Sequence, residues 1–295
     1  MHIFLSAVGF AIVDAAILSI VSMGFSLQFG MTNVLNLAFG PLMSLGALIA
    51  FYLNENGVFI WYAALIGALA VGLTSLFLGQ TIFRTFARKG SRLFEMAIVS
   101  IAVGLVIDNA MAAITHSTTY QFNFPLGSNH DIGGMTFTTT ELIIILIAAV
   151  TIASLEYVLH RTRLGVAIRA SSANANLALA SGIRTERVLK LTWIISGVLC
   201  GLGGVVLAIS YMSINYTTGD TYLPYVLTAV IVAGIGAIGY AAIAAFILSL
   251  VVEVAGAYGA AAYNIMIAIG ILLIMLLVRP RGFFSELWER VEVTA

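Results

Sequence analysis

The sequence predicts an all-α, polytopic integral membrane protein with eight or nine transmembrane helices, one of which is alternatively broken or re-entrant. Of its 295 residues, 61% are hydrophobic and only 9% are charged, whereas soluble domains carry about 25% charged residues. The chain also holds eight or nine apolar segments of the length that crosses a bilayer, roughly 20 residues each. These segments leave little length for a soluble domain, so we expect a single transmembrane domain over residues 1–295.

The distribution of positive charge predicts the orientation of this domain. All 13 lysines and arginines fall into three clusters, at 84–92, 161–190 and 279–290. The positive-inside rule places such clusters in the cytoplasm, and the C-terminus is then cytoplasmic as well. Three loops that lack Lys and Arg are expected on the outer face, at 54–57, 116–140 and 213–221. Short basic clusters beside apolar spans are the ordinary topology signal, so no nucleic-acid partner is expected.

Apolar runs define the spans in chain order. They lie at 3–25, 31–53, 58–83, 93–115, 141–160, 188–212 and 260–278, and 222–257 holds two spans or one broken span. No basic stretch and cleavage site mark the start of the chain, so residues 3–25 are predicted to be a retained span. Nine crossings place the N-terminus outside and eight place it inside. Residues 1–10 contain no Lys or Arg to hold them inside, which favours nine.

Residues that could bind a metal or perform covalent chemistry are few. The single cysteine, Cys200, lies in an apolar run, and the four histidines are scattered without ligand spacing. We therefore expect Cys200 to be a small packing residue. The sequence predicts neither a cofactor, nor a metal centre, nor an enzyme.

Polar residues interrupt the second span. Asn33, Asn36 and Gly40 lie within it, and Pro41 follows directly. Because proline removes a backbone hydrogen bond, we expect Pro41 to kink this helix. Broken, polar helices near the middle of a membrane commonly line transport sites, so Asn33, Asn36 and Gly40 are candidates for a substrate path. Asparagines that only join neighbouring helices are an equally open interpretation.

Three acids lie within predicted spans: Asp14, Asp108 and Glu253. A charged group near the bilayer centre costs on the order of 3 kcal/mol, and such residues are usually functional. Glu253 is the best candidate for a group that faces a polar cavity. The alternative is a protonated side chain bonded to a neighbouring helix, and proton transfer by these acids is the main rival mechanism.

Two glycine-rich runs are predicted to serve helix packing. Gly197 and Gly201 lie four residues apart, a spacing that permits close helix contact. Gly234, Gly236 and Gly239 interrupt the apolar region near the end of the chain, and we expect close packing or a re-entrant break there. A phosphate-binding loop is disfavoured because no strand precedes these glycines and no Lys-Ser/Thr pair follows them.

A polar, basic and helix-prone stretch, residues 164–197, separates two apolar spans. The Ala-rich run 173–180 favours a short helix. Gly182 is placed to end that helix in a left-handed cap, and Thr185 is predicted to cap the next one. A solvated loop does not need such an ordered helix, so the loop at about 161–190 is predicted to be a docking surface for a cytoplasmic partner.

Four segments resemble the branched-chain amino acid and urea permease family of ABC importers. The family's coupling-loop pattern is matched at Gly165, Arg169, Ala170, Ala178, Gly182, Ile183, Arg187 and Val188. Further matches are Asn36–Gly40 with Leu45–Ala47, Gly234–Gly239, and the tail Arg279–Phe284. The sequence departs from the family at Phe39, where the family has histidine, and at Ala173 and Asn174, where acidic residues are frequent. The substrate is therefore expected to differ from that of the family, and the ATPase partner is expected to offer a less basic groove.

The resemblance implies a set of partners and a bacterial inner-membrane location. Two cytoplasmic ABC ATPases, a second homologous permease (a heterodimer is favoured), an outer substrate-binding protein and membrane lipid are expected. Residues Arg169–Ile183 would receive the push of ATPase closure, with Arg169 and Asn174 as contacts and with Ala170, Ala178, Gly182 and Arg187 in the same coupling loop. The rival classes are an ion-coupled secondary transporter or channel, and a membrane scaffold that transports nothing.

Overall fold

The computed structural model describes residues 2–90, 92–125, 127–234, 236–259, 263–279 and 282–283. Their helices are α1 His2–Thr32, α2 Phe39–Glu55, α3 Ile60–Leu78, α4 Arg84–Arg88, α5 Leu93–Thr115, α6 Thr139–Arg161, α7 Arg163–Ala173, α8 Ala175–Ala180, α9 Thr185–Ser210, α10 Thr218–Ala233, α11 Ile238–Tyr258 and α12 Asn264–Val278. Four short strands are β1 Tyr120–Gln121, β2 Asn129–Ile132, β3 Met135–Thr138 and β4 Ser213–Ile214. The predicted all-α polytopic class is confirmed, because six of the described helices are long and apolar enough to cross a membrane.

The number of crossings, eight or nine, stays a prediction. A π-helical turn, Gly79–Phe83, joins α3 to α4, and this apolar helical run ends at Arg88. The helix therefore continues past residue 83, where the third span was predicted to end. The basic cluster at 84–92, the predicted first inner loop, begins within this helix. Three further apolar helices are shorter than the six long ones: α2 has 17 residues, α10 has 16 and α12 has 15. In the described part of the chain, α2 and α10 each follow a short non-helical segment.

A non-helical segment at residues 33–38 separates α1 from α2, and it corrects two predictions. The first span does not end at residue 25 but continues to Thr32, and the second begins at Phe39 rather than at 31. Asn33 has a φ of 52° and closes α1, a left-handed conformation that asparagine tolerates. Pro41 lies in the first turn of α2. It does not kink the helix there, because first-turn N–H groups have no partner within the helix.

One compact unit takes its residues from Leu27–Phe122 and Ala153–Leu223, and its core is formed by α2, α3 and α9. Glycines let these three helices approach closely. A Cβ atom added at Gly197 would lie 2.5 Å from the Cβ of Ser75 on α3, and one added at Gly201 would lie 2.8 Å from the Cβ of Val71. A Cβ at Gly204 would overlap the backbone of Met43 on α2. We call this arrangement of α2, α3 and α9 the glycine core.

The other compact unit takes its described residues from the ranges Met1–Ser26, Asn123–Ile152 and Pro224–Ala295. Within it, Ser19 on α1 donates a hydrogen bond to the Ala242 carbonyl on α11 at 3.2 Å. Positive φ angles at Gly234 (99°) and Gly236 (92°) end α10 and precede α11. The glycine-broken region therefore forms two helices rather than one broken helix. A Cβ at Gly282 would overlap the backbone of Gly234, so the tail packs directly on this break.

The long outer segment contains a hairpin that the sequence analysis did not predict. β2 pairs antiparallel with β3, with Ile132 opposite Met135. Gly133 and Gly134, both with positive φ, form the two-residue turn, as a tight hairpin requires. In the unit that contains the glycine core, β1 pairs with β4.

Candidate substrate path and coupling surface

The non-helical segment 33–38 is held by side chains of its own unit. A backbone N–H or C=O group inside a membrane needs a hydrogen-bond partner within the protein, because no water is present to supply one. Ser100 on α5 is the partner of two such groups. The Ser100 hydroxyl accepts a hydrogen bond from the Leu37 N–H at 2.9 Å. Its single proton is shared between the Leu35 carbonyl at 3.0 Å and the Ala97 carbonyl at 2.7 Å. Ser100 is fully buried. The break is therefore a built feature of the fold.

Asn36 holds the same segment from within. Its Oδ1 accepts a hydrogen bond from the Ala38 N–H at 3.2 Å, and its Nδ2 donates to Gln28 Oε1 at 3.4 Å. Asn36 and Gln28 are both buried. Gln28 Nε2 is buried and has no hydrogen-bond partner among the described residues. That Asn33 and Asn36 line a substrate path stays a prediction, and the structure places Asn33 at an exposed position at the end of α1.

Gly40 lies against the start of α10. A Cβ atom at Gly40 would lie 2.7 Å from Asp220 Oδ1, and the Gly219 N–H donates to Ser44 Oγ at 2.8 Å. Asp108 on α5 faces the Asp220 carboxyl group. The sequence analysis missed Asp220 because it lies in a segment predicted to be an outer loop. An acid directly before an apolar run was the available signal, since acids are favourable in the first turn of a helix.

Replacing Asn36 with leucine is expected to destabilise the unit that contains the glycine core. The change leaves the Ala38 N–H and Gln28 Oε1 without partners, and a buried unpaired group costs about 1–3 kcal/mol. Thermal unfolding in detergent measures the loss. Asn109→Leu is the control for introducing leucine at an exposed, helical position of the same unit. Equal stability of Asn36→Leu and the parent protein would contradict the role of Asn36.

Glu253 lies in the other unit and is bonded to a neighbouring helix. Asn264 Nδ2 on α12 donates to Glu253 Oε1 at 3.4 Å, and Ser249 on α11 donates to Asp14 Oδ2 at 3.0 Å. Glu253 is half-buried. This hydrogen bond to Asn264 agrees with the alternative interpretation, in which Glu253 is bonded to a neighbouring helix. Its role in a substrate path stays a prediction, as do the roles of Asp14 and Asp108.

The coupling loop consists of two short helices, of which α7 is anchored to the end of α6. The Thr162 hydroxyl caps α7 by accepting a hydrogen bond from the Gly165 N–H at 3.3 Å. A Cβ at Gly165 would overlap the Leu159 carbonyl, to which the Arg169 guanidinium donates. Arg169 therefore stabilises the loop itself. Its predicted contact with an ATPase is untested, and Ala170 on the same helix is half-buried.

The second short helix, α8, is capped at both ends. Asn174 begins it by accepting a hydrogen bond from the Leu177 N–H at 3.0 Å. Gly182 ends it with a φ of 85°, and the Ile183 N–H reaches back to the Ala178 carbonyl at 3.0 Å. This pattern is the left-handed cap that was predicted for Gly182. The predicted cap at Thr185 is wrong by one position, because Thr185 is already the first residue of α9.

Two leucines on α8 are exposed, on different sides of the helix. Leu177 is 65% exposed and Leu179 is 60% exposed, and they flank the buried Ala178. The sequence analysis missed both, although leucines two residues apart on a helix cannot face the same core. Arg187 on the first turn of α9 is also exposed. An exposed apolar helix with basic residues nearby is suited to binding a protein partner.

The coupling loop is also linked to the first inner loop. Arg84 on α4 forms an ion pair with Glu186 in the first turn of α9. Both side chains are partly solvated, so the pair contributes little stability. Its value is geometric, because it fixes the start of α9 beside α4.

Comparison with known proteins identifies the family. A family model described as "Branched-chain amino acid transport system / permease component" matches residues 7–277. The chain belongs to this permease family. The resemblance seen in the sequence is thereby confirmed, and the protein is a transport subunit and not an enzyme.

Named relatives match the permease along almost its whole length. It is 28% identical to a probable branched-chain amino acid transport permease protein, LivH, of Methanocaldococcus jannaschii, over 96% of this chain and 93% of the relative. It is 22% identical to the high-affinity branched-chain amino acid permease LivH of Escherichia coli K12, and 26% identical to BraD of Pseudomonas aeruginosa. Each of those two matches covers 91% of both chains.

A solved structure supports the fold of the permease. The chain in "PsaBC from Streptococcus pneumoniae in complex with Fab" superposes with a TM-score of 0.51 over 94% of each chain, at 15% sequence identity. At this identity the likeness shows the fold alone. Together with the apolar helices, the family makes this permease a multi-span protein of the bacterial inner membrane that acts with ATPase and substrate-binding partners.

Proposed function

We propose that this permease is the membrane-spanning subunit of an ATP-driven importer for branched-chain amino acids or a related small polar solute such as urea. The relatives named LivH and BraD are described as branched-chain amino acid permeases, which supports the substrate class. The observation that carries the mechanism is α8, a capped helix that exposes Leu177 and Leu179. The residues form one permease domain, with a coupling loop at about 161–190 and an outer loop at 116–140.

The contacts of α8 suggest how a push would reach the membrane. α7 and α8 both contact α9, and α9 belongs to the glycine core with α2 and α3. Because Gly201 and Gly204 leave no space between backbones, displacement of α9 would move α2 and α3 with it. Closure of two ATPases on ATP would therefore act through α8 on the whole glycine core.

The proposed assembly contains two cytoplasmic ABC ATPases, a second homologous permease and an outer substrate-binding protein. A heterodimer of permeases is favoured over a homodimer by the habit of the family. The basic clusters place the coupling loop and the C-terminus in the cytoplasm. The hairpin β2–β3 then lies in the outer segment, where a substrate-binding protein would contact the permease.

Purification in mild detergent from the native membrane, followed by reconstitution, tests this proposal. We expect an ATPase pair and a second permease to co-purify, and uptake into proteoliposomes to require ATP. Transport by the isolated chain without ATP would overturn the proposal in favour of a secondary transporter that uses Glu253 or Asp108. A complex that moves none of the branched-chain amino acids or urea would indicate a scaffold or another substrate class.

A further inference from the structure

A cavity of about 350 Å³ opens beside the first inner loop, within the unit that contains the glycine core. It lies between the end of α1, the π-helical turn, α4 and α9. The lining residues on which the argument depends are Gly79, Phe83, Arg84, Ala87, Arg88 and Trp193. The walls are mostly apolar, and the two arginines are the charged groups among them.

The apolar wall of this cavity is closely packed. The rings of Phe83 and Trp193 stack with their centroids 5.0 Å apart. A Cβ added at Gly79 would lie 2.5 Å from the Trp193 ring, so the indole packs directly on the π-helical turn. Single π-helical turns in α-helices are frequent at functional sites. The turn shapes this wall by bringing Gly79 and Phe83 against Trp193.

The charge at the cavity is positive and partly uncompensated. Arg84 is bonded to Glu186 and to Gln80. The side chain of Arg88 is exposed and forms no ion pair or hydrogen bond with any described residue. A ligand that fits both features needs an anionic group for Arg88 and an apolar portion for the wall formed by Phe83 and Trp193.

The surface that leads to the cavity is apolar as well. Leu69, Leu73 and Phe77 on α3 are each about half exposed or more, at successive four-residue steps towards the arginines. Residues spaced by four share one face of a helix. This exposed apolar face precedes the helical segment that carries Arg84 and Arg88.

We infer that this cavity binds the phosphate headgroup of an anionic lipid, with its acyl chains along the exposed face of α3. The site lies at the membrane surface where the proposed orientation puts the cytoplasm. A soluble phosphate compound would use the arginines but not the apolar walls. The lipid would hold α4 against the start of α9 and thus stabilise the end of the coupling loop.

Quenching of Trp193 fluorescence by brominated lipids tests the inference directly. The Trp61→Phe, Trp288→Phe variant leaves Trp193 as the only tryptophan. This variant is placed in bilayers of neutral phosphatidylcholine with increasing brominated phosphatidylglycerol or brominated phosphatidylcholine. One cation near a membrane surface is worth about 1 kcal/mol, so we expect the anionic lipid to be favoured about fivefold. The readout needs neither ATPase nor substrate, so its failure is distinct from failure of the proposed transport function.

Two matched pairs of variants decide the location of the site. Arg88→Gln should remove the preference for anionic lipid, whereas Lys89→Gln, which removes the neighbouring charge outside the cavity, should retain it. Ala87→Phe should obstruct the cavity and lower quenching, whereas Thr85→Phe on the same helix should not. Equal effects within either pair would overturn the inference, as would equal quenching by the two lipids. Relief of quenching by glycerol phosphate would assign the site to a soluble phosphate compound instead.

Discussion

Replacing Leu177 and Leu179 together with aspartate is expected to abolish coupling between ATP hydrolysis and transport. Both side chains are exposed on α8, and apolar anchors at the centre of an interface contribute about 2 kcal/mol or more each. Loss of one such anchor weakens ATPase binding about thirtyfold. The permease itself should fold normally, because neither leucine is buried in it.

Measurement of this effect requires the reconstituted complex. ATP-dependent uptake should fall by at least about tenfold, while the amount of permease in the membrane stays unchanged. Asn176→Asp is the matched control, since it adds a negative charge to an exposed position of α8 without removing apolar surface. Loss of coupling in Asn176→Asp to the same degree would show that charge, and not the leucine surface, determines docking.

Replacing Gly204 with alanine is expected to cause the largest loss of stability of any glycine-to-alanine change in the glycine core. The new Cβ would overlap the backbone of Met43, and a backbone cannot rotate away as a side chain can. Overpacking of this kind costs about 1–3 kcal/mol and occasionally more. We expect less folded protein in the membrane and a lower unfolding temperature in detergent.

Gly270 provides the control for this substitution. It lies on α12, and a Cβ there would meet nothing within 4 Å. Gly270→Ala should therefore leave stability unchanged or raise it slightly, because alanine favours helix over glycine by about 1 kcal/mol. If Gly204→Ala and Gly270→Ala unfolded at the same temperature, the close contact of α9 with α2 would be contradicted.

Composition and glycine positions predicted much of this fold, because they report on physical demands that act locally. Long apolar runs must form helices in a membrane. A glycine after a short helix permits the left-handed cap found at Gly182. The glycines at 234 and 236 broke the apolar run as expected, and they produced two helices.

The break between α1 and α2 was misplaced because its cause lies elsewhere in the chain. Pro41 drew attention to the second span, but the non-helical backbone at 33–38 depends on Ser100, a residue on α5. The residues around 33–38 give no indication that a serine more than 60 positions later forms hydrogen bonds with the Leu37 N–H and the Leu35 carbonyl. The β2–β3 hairpin was different, because Gly133-Gly134 is a two-residue turn signal that was overlooked in a segment regarded as a loop.

That the coupling loop binds an ATPase, with Arg169 and Asn174 as contacts, stays a prediction. Both side chains are bonded within the loop. Leu177 and Leu179 are exposed on α8, and their exposure depends on how α8 packs. A sequence reports which residues are apolar, whereas only the packed structure reports which of them are left uncovered.

The glycine core also constrains the order in which the protein can be made. Phe39 and Cys200, whose carbonyl and thiol groups lie 3.2 Å apart, are separated by 161 residues. The helices α2 and α3 are inserted before α9 is synthesised, and they stay unpacked in the bilayer until α9 is inserted, since membrane helices form first and associate afterwards. A ribosome that stalls before residue 185 would leave exposed the surfaces of α2 and α3 that α9 covers in the folded protein. Release of such a nascent chain would give quality-control proteases a clear target.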